Sequence, residues 1–239
     1  MRSDITYITG LVCVSFWVVA YAGIIYRGAQ EKTFGMPVAA LAANLSWEAA
    51  YSFFIDPFAD EIHLLSIVWF VIDLVILWQV WRFGPREFED KLSRRGFNMM
   101  LLGGVAIAFP VVYLGFSEFH DPDGEYTGFG VNFMMSILFV AMLLERESPR
   151  GQSMYIAVSK FFGTFFAWLA TAFTVTTNKA EPWPDSFGSF VIDSVTHDTY
   201  PLTRLINVLY LVTFLVDIGY IVTLRRHLIA AKMSPWRHF

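Results

Sequence analysis

Cysteine is nearly absent from this chain. Its single copy, Cys13, sits inside the first apolar run, so neither an intramolecular disulfide nor a cysteine-based metal site can form. Charge is scarce too. Asp, Glu, Lys and Arg make up 16% of the 239 residues against 56% hydrophobic residues, which excludes an ordinary soluble domain and fits one helical membrane domain over residues 1–239. No internal repeat and no low-complexity segment is present. No persuasive small-residue cleavage site follows the first apolar run, so that run reads as a first helix rather than a removable signal. No nucleic-acid partner, metal or cofactor is expected.

What the chain has in abundance is long apolar stretches. A hydrocarbon core about 30 Å thick needs roughly 20 mostly apolar helical residues. Seven stretches meet or approach this, at residues 5–26, 34–55, 64–81, 97–116, 128–144, 154–175 and 201–224. The expected fold is therefore all-α, with seven transmembrane helices. Of the seventeen Lys and Arg, thirteen fall on one side: Arg27 and Lys32; Arg82, Arg86, Lys91, Arg94 and Arg95; Arg146 and Arg150; and Arg225, Arg226, Lys232 and Arg237. The other side holds Arg2 and Lys179. The basic side belongs in the cytoplasm, which puts the N-terminus outside and the C-terminus in the cytoplasm.

Three acids fall well inside spans: Glu48 in span two, Asp73 in span three and Asp217 in span seven. A carboxylate at the centre of a membrane helix costs about 2.5–3.5 kcal/mol, so such groups face the bundle interior and mark a site or a proton path. Burial favours the protonated acid in general. Counted from the outer ends, Glu48 and Asp217 differ in depth by roughly 13 Å at 1.5 Å per residue. That spacing suggests the two ends of one elongated cavity. The neighbours are aromatic. Asn44, Glu48 and Tyr51 share a helical face, as do Trp69 and Asp73, and Tyr210, Phe214, Asp217 and Tyr220 do so in span seven. Ring faces attract a cation without offering it a nucleophile.

The stretch Asn44-Leu45-Ser46-Trp47-Glu48, followed by Arg150-Gly151-Gln152-Ser153 between spans five and six and by Asp217 in the last span, resembles the membrane-bound terpene cyclases of meroterpenoid and indole terpenoid biosynthesis, in fungi and in bacterial relatives. The resemblance covers nearly the whole chain in size, span count and motif order. It implies an enzyme that protonates a terminal epoxide or alkene of a lipid-like prenylated substrate and guides carbocation ring closure, an acid-initiated, non-metal cyclase of isomerase or lyase type. It implies catalytic roles for Glu48 and Asp217. The residues around them, Asn44, Trp47, Tyr51, Trp69, Asp73, Tyr210, Phe214 and Tyr220, are the expected substrate-binding set. The implied setting is among membrane lipids, in the plasma membrane of a bacterium or the endoplasmic reticulum of a fungus. Neither Asp-Asp-x-x-Asp nor Asp-x-Asp-Asp occurs, which argues against ionisation of a diphosphate.

Other features carry less. His120, Asp121, Asp123 and Glu125 read as a solvated acidic turn around Pro122 and Gly124 rather than a cation site. Residues 150–153 read as the cap of span six, and Lys160 as a side chain snorkelling to the interface. A proton-coupled transporter would also use buried acids, but the two related halves it would require are not evident. Span seven has no lysine for a retinal Schiff base, and a receptor or scaffold would not need three buried acids. The charge distribution generates a test. Reporter fusions after Arg95 and after Arg226 are expected to read cytoplasmic, and one within residues 121–125 external. An external C-terminus would overturn this topology.

Overall fold

The computed structural model describes residues 2–55, 61–178 and 186–237, with the side chains of residues 2–4, 62 and 176–178 excepted. Lys179, counted above among the external cations, lies outside the described residues. These contain eight helices and no strand: α1 (Arg2–Glu31), α2 (Val38–Phe53), α3 (Glu61–Glu87), α4 (Arg94–Glu118), α5 (Glu125–Arg146), α6 (Met154–Asn178), α7 (Phe187–Thr196) and α8 (Arg204–Ala230). Six of them, α1, α3, α4, α5, α6 and α8, are long and apolar enough to cross a membrane.

The exception among the expected spans is α2. Pro37 precedes its first residue, its ring fixing φ at −56° while ψ is an extended 137°, so the helix starts later than the apolar run does. Its 16 residues rise only about 24 Å, short of a hydrocarbon core. In compensation it is enclosed by protein. It packs against α3, α4 and α5, and Ala40, Ala42, Ala43 and Ala50 let those neighbours approach. Its buried face includes Ser46, Glu48 and Ser52. The last span is shifted as well, because Thr203 caps α8 by accepting from Ile206 N, and Pro201 lies before the helix. Helix α7 was not expected from the apolar runs; the reciprocal Ser186–Ser189 capping box starts it.

The long helices are apolar outside and mixed inside. On α8, Leu205, Val208, Leu211, Leu215, Ile218 and Val222 are exposed at three- and four-residue steps, whereas Tyr210, Thr213, Asp217 and Tyr220 are buried. This inverts the soluble pattern, as expected where the surroundings are lipid. Helices α1 and α6 pack at Gly163, where a Cβ would come within 2.8 Å of the Trp17 indole. Glycine there lets the indole lie flat against α6.

The basic end is tied by hydrogen bonds and ion pairs. Arg146, at the end of α5, donates to the Phe34 and Arg150 carbonyls, each at 3.0 Å, and pairs with Glu87 Oε2 at 2.7 Å. Its guanidinium also lies 4.4 Å from the Phe34 ring centroid. Thr33 donates to the other Glu87 oxygen, and Arg150 donates to the Glu31 carbonyl at 2.9 Å. Ser153 accepts from Ile156 N at 3.3 Å as the cap of α6, and Gln152 accepts from Tyr220 OH at 2.7 Å. The 150–153 segment thus joins α1, α6 and α8. Arg146→Met is expected to strand Glu87 and lower stability by about 3 kcal/mol, read by unfolding in detergent. Lys91→Ala, which breaks an exposed pair with Glu145, should leave the midpoint unchanged.

Candidate active site

A cavity of about 340 Å³ opens between α1, α2, α3, α5 and α6, in the half of the bundle away from the basic loops. Its walls carry the rings of Trp17, Tyr21, Trp47, Trp69 and Phe129. Glu48 lines it and is 7% exposed. Ser66 lines the cavity with it, and Glu48 Oε2 has no hydrogen-bond partner. One turn back on the same face, Asn44 donates from Nδ2 to Tyr21 OH and to Asp73 Oδ2, both at 2.7 Å. Asp73 is fully buried behind Asn44, its Oδ1 unpartnered. The polar end of the cavity is therefore one carboxyl on the wall and a second held behind it by an amide.

Trp47 is fixed from two directions. Its indole Nε1 donates to Thr127 Oγ1 at 3.0 Å, and its ring stacks on Tyr51 at 4.9 Å and 15°. Tyr51 in turn stacks on His63 at 4.2 Å. Gly124, at φ +73°, presents the space that the indole edge fills; a Cβ there would come within 2.6 Å of it. Both the left-handed backbone and the missing side chain require glycine.

The segment expected to be a solvated turn is partly interior. Asp121 is 1% exposed and accepts from Tyr126 N at 3.1 Å, from Thr127 N and Oγ1 at 2.8 Å each, and from Tyr200 OH at 3.1 Å. Burial pushes the Tyr200 phenol above its ordinary range, keeping it a donor. The reason for the difference is that the first turn of α5 needs an acceptor, and Asp121 supplies it from outside the helix. Among the described residues no group of three or more His, Cys, Asp or Glu is arranged to hold a metal. Glu125 lines the cavity and accepts from Thr171 Oγ1 at 3.2 Å.

Asn44, Trp47, Glu48 and Trp69 are brought together on the cavity wall, with Tyr51 and Asp73 directly behind. The α8 residues are placed differently. Tyr210 packs on Phe129 at 4.0 Å, behind the wall, and beside Phe214 at 6.0 Å. Tyr220 bonds Gln152 toward the basic end. Asp217 is fully buried, with Lys160 Nζ 2.9 and 3.0 Å from its two oxygens. Lys160 therefore does not snorkel: it is 1% exposed, because a carboxylate partner inside the bundle replaces the water it would otherwise seek. Periodicity alone did not single out Trp17 and Tyr21, although their four-residue step on α1 was a usable signal. Ser66, Asn132 and the Lys160 pairing had no such signal.

The fold and site together define a helical membrane protein with an aromatic cavity and a carboxyl on its wall. A family model for Pyr4-like transmembrane terpene cyclases matches residues 3–226, and the chain belongs to that family. It is similar to the Pyr4-family terpene cyclase mfmH of Annulohypoxylon moriforme, 28% identical over 194 residues, covering 77% of this chain and 79% of that protein. It is also similar to asnovolin H synthase nvfL of Aspergillus novofumigatus, 24% identical with 74% of each chain covered. Terpene cyclase pyr4 of Aspergillus fumigatus is 24% identical, with 72% of this chain and 70% of that one covered. No solved structure matches the chain.

The geometry separates two aromatic residues of the expected substrate-binding set, Trp47 and Tyr220. Trp47→Leu is expected to change the product ratio of a cyclising enzyme, because the wall loses a ring face. Tyr220→Phe should keep the ratio and lose about 1 kcal/mol of stability through its Gln152 bond. Product analysis and unfolding midpoints read the two effects, and an altered ratio in Tyr220→Phe would place that ring at the substrate after all.

Proposed function

We propose that this protein is an acid-initiated terpene cyclase acting on a prenylated, meroterpenoid-type substrate whose polyprenyl chain folds in the cavity between α1, α2, α3, α5 and α6. The observation that carries the reading is Glu48: a carboxyl on the wall of a largely aromatic cavity, with one oxygen free of protein partners. In its protonated form Glu48 delivers a proton to a terminal epoxide oxygen or alkene carbon. The tertiary cation so formed is attacked by the next double bond, and the positive charge moves along the chain as rings close. The Trp17, Trp47, Trp69 and Phe129 faces stabilise it without trapping it. Loss of a proton from the last cation leaves product and substrate isomeric. Two other carboxyls line the cavity, the exposed Asp123 and the half-buried Glu125, and Glu125 is the more enclosed of them to take that proton.

In this reading Asp73 and Asn44 serve Glu48 by position. Asn44 spends both amide hydrogens on Tyr21 and Asp73, so its face of α2 is locked one turn from the acid. The same reading places α2 as a short seventh span inside the bundle, with the N-terminus outside and the basic loops in the cytoplasm. The substrate's isoprenoid tail enters from the lipid, and the cavity opens in the outer half.

The test is turnover per folded protein with prenylated aromatic or cyclodipeptide substrates, with and without a terminal epoxide. Glu48→Gln keeps the shape but has no acidic proton. It is expected to cut cyclisation on the order of 10²-fold or more while leaving membrane insertion intact. Near-normal turnover would remove Glu48 as the acid.

A further inference from the structure

Lys160 is a buried charged group whose chemistry the proposed reaction leaves unused. Its ammonium has three N–H donors, and all three are committed: two to the Asp217 oxygens at 2.9 and 3.0 Å, and one to Ser136 Oγ. The Lys160 and Asp217 side chains are 2% and 1% exposed. The ion pair is sealed from water and from lipid, and it sits one helical turn beneath the cavity on the side of the basic loops.

The pair is joined to the cavity by two hydroxyls and one amide. Ser136 accepts from Lys160 and donates to the Asn132 carbonyl at 3.0 Å. Thr164 donates its only hydroxyl hydrogen to the Lys160 carbonyl at 3.1 Å. Toward Asn132 it can then act only as an acceptor, so the 2.9 Å contact must be a bond donated by Asn132 Nδ2. This fixes the amide orientation by elimination. Asn132 Oδ1 is left with no hydrogen-bond partner, on a residue that lines the cavity.

We infer that Lys160 is a positioning residue of the cyclase, and that Asp217 works with it as a fixed ion pair that sets the Asn132 carbonyl at the cavity wall, not as a second proton donor. The inference rests on the reading of Glu48 as the acid. Asn132 Oδ1 is the negative end of a preorganised dipole, and it stabilises positive charge developing in the folded chain. As a proton donor Asp217 would be neutral, which would leave the buried Lys160 ammonium without its counter-charge. Removing either partner strands a buried charge, whereas replacing both with apolar groups of similar size does not.

The experiment compares wild type, Glu48→Gln, Asp217→Asn, Lys160→Met, the double variant Lys160→Met/Asp217→Leu, and Asn132→Leu. Each is purified in detergent, checked by unfolding midpoint, and assayed for kcat, KM and product profile on an epoxidised prenylated aromatic substrate. Lys160→Met and Asp217→Asn are expected to lose kcat by at least about tenfold through a displaced wall. The double variant should recover to within about tenfold of wild type with the wild-type product, as expected when a buried pair is replaced whole. Asn132→Leu should lower kcat by on the order of 10-fold to 10²-fold at unchanged KM and raise the share of partly cyclised product. A folded double variant as inactive as Asp217→Asn would overturn the inference and return Asp217 to the role of acid. Unchanged kcat and products in Asn132→Leu would overturn it as well, and that variant decides the matter if the charge variants do not fold. Full turnover in Glu48→Gln would remove the underlying acid reading instead; an inactive Glu48→Gln beside an inactive double variant leaves that reading standing and removes this inference alone.

Discussion

A helix that is too short to cross the bilayer and carries Asn44, Ser46, Glu48 and Ser52 can exist in a membrane protein only if other helices cover it. The enclosure of α2 is the constraint on which the rest of the architecture turns. Helices α3, α4 and α5 surround it, and its alanines allow them close enough to exclude lipid. A carboxyl exposed to acyl chains would be unstable. On α2 it faces Ser66 of α3 and an aromatic cavity, so the polarity that makes the helix a poor span is retained as the working end of the site.

Two kinds of buried ionisable group coexist in the bundle, and they are handled in opposite ways. Glu48 and Asp73 each keep an oxygen without a partner, and no cation is paired with either among the described residues. Lys160 donates to both oxygens of Asp217, with Ser136 taking the remaining ammonium hydrogen. Under-satisfied polar atoms are costly in a low dielectric and persist where a substrate or a reaction uses them. Saturated pairs hold geometry. The Arg146–Glu87 cluster does the same at the basic end, where it gathers the loop before α2, the end of α3 and the 150–153 segment.

Much of this was legible in the chain. The long apolar runs correspond to α1, α3, α4, α5, α6 and α8, since mean apolarity over a helical length is a property of one segment. The polar face of α2 was legible for the same reason: Asn44, Trp47 and Glu48 stand at helical spacing. What could not be read was which face meets which. Asp217 stands at a regular step from Tyr210, Phe214 and Tyr220, and that step is the same whether α8 turns the face to a cavity or to Lys160 on α6. Depth counted along each helix likewise set Glu48 and Asp217 apart without showing that a layer of α5 side chains lies between the pair and the cavity. Asp121 looked like a solvated loop acid because its acceptors' partners, Thr127 and Tyr200, come from the next helix and from a segment 79 residues further on.

The contact of Trp47 with Gly124 and Thr127 couples a surface loop to the interior. Asp121 anchors Thr127, Thr127 orients the indole, and Gly124 supplies the slot into which its edge fits. A change in the length or turn geometry of the 119–124 loop would rotate one wall of the chamber without replacing any residue that touches the substrate. Divergence of ring pattern among such enzymes can therefore begin in a loop that is easily dismissed as a linker, and a comparison confined to the chamber's own residues would miss it.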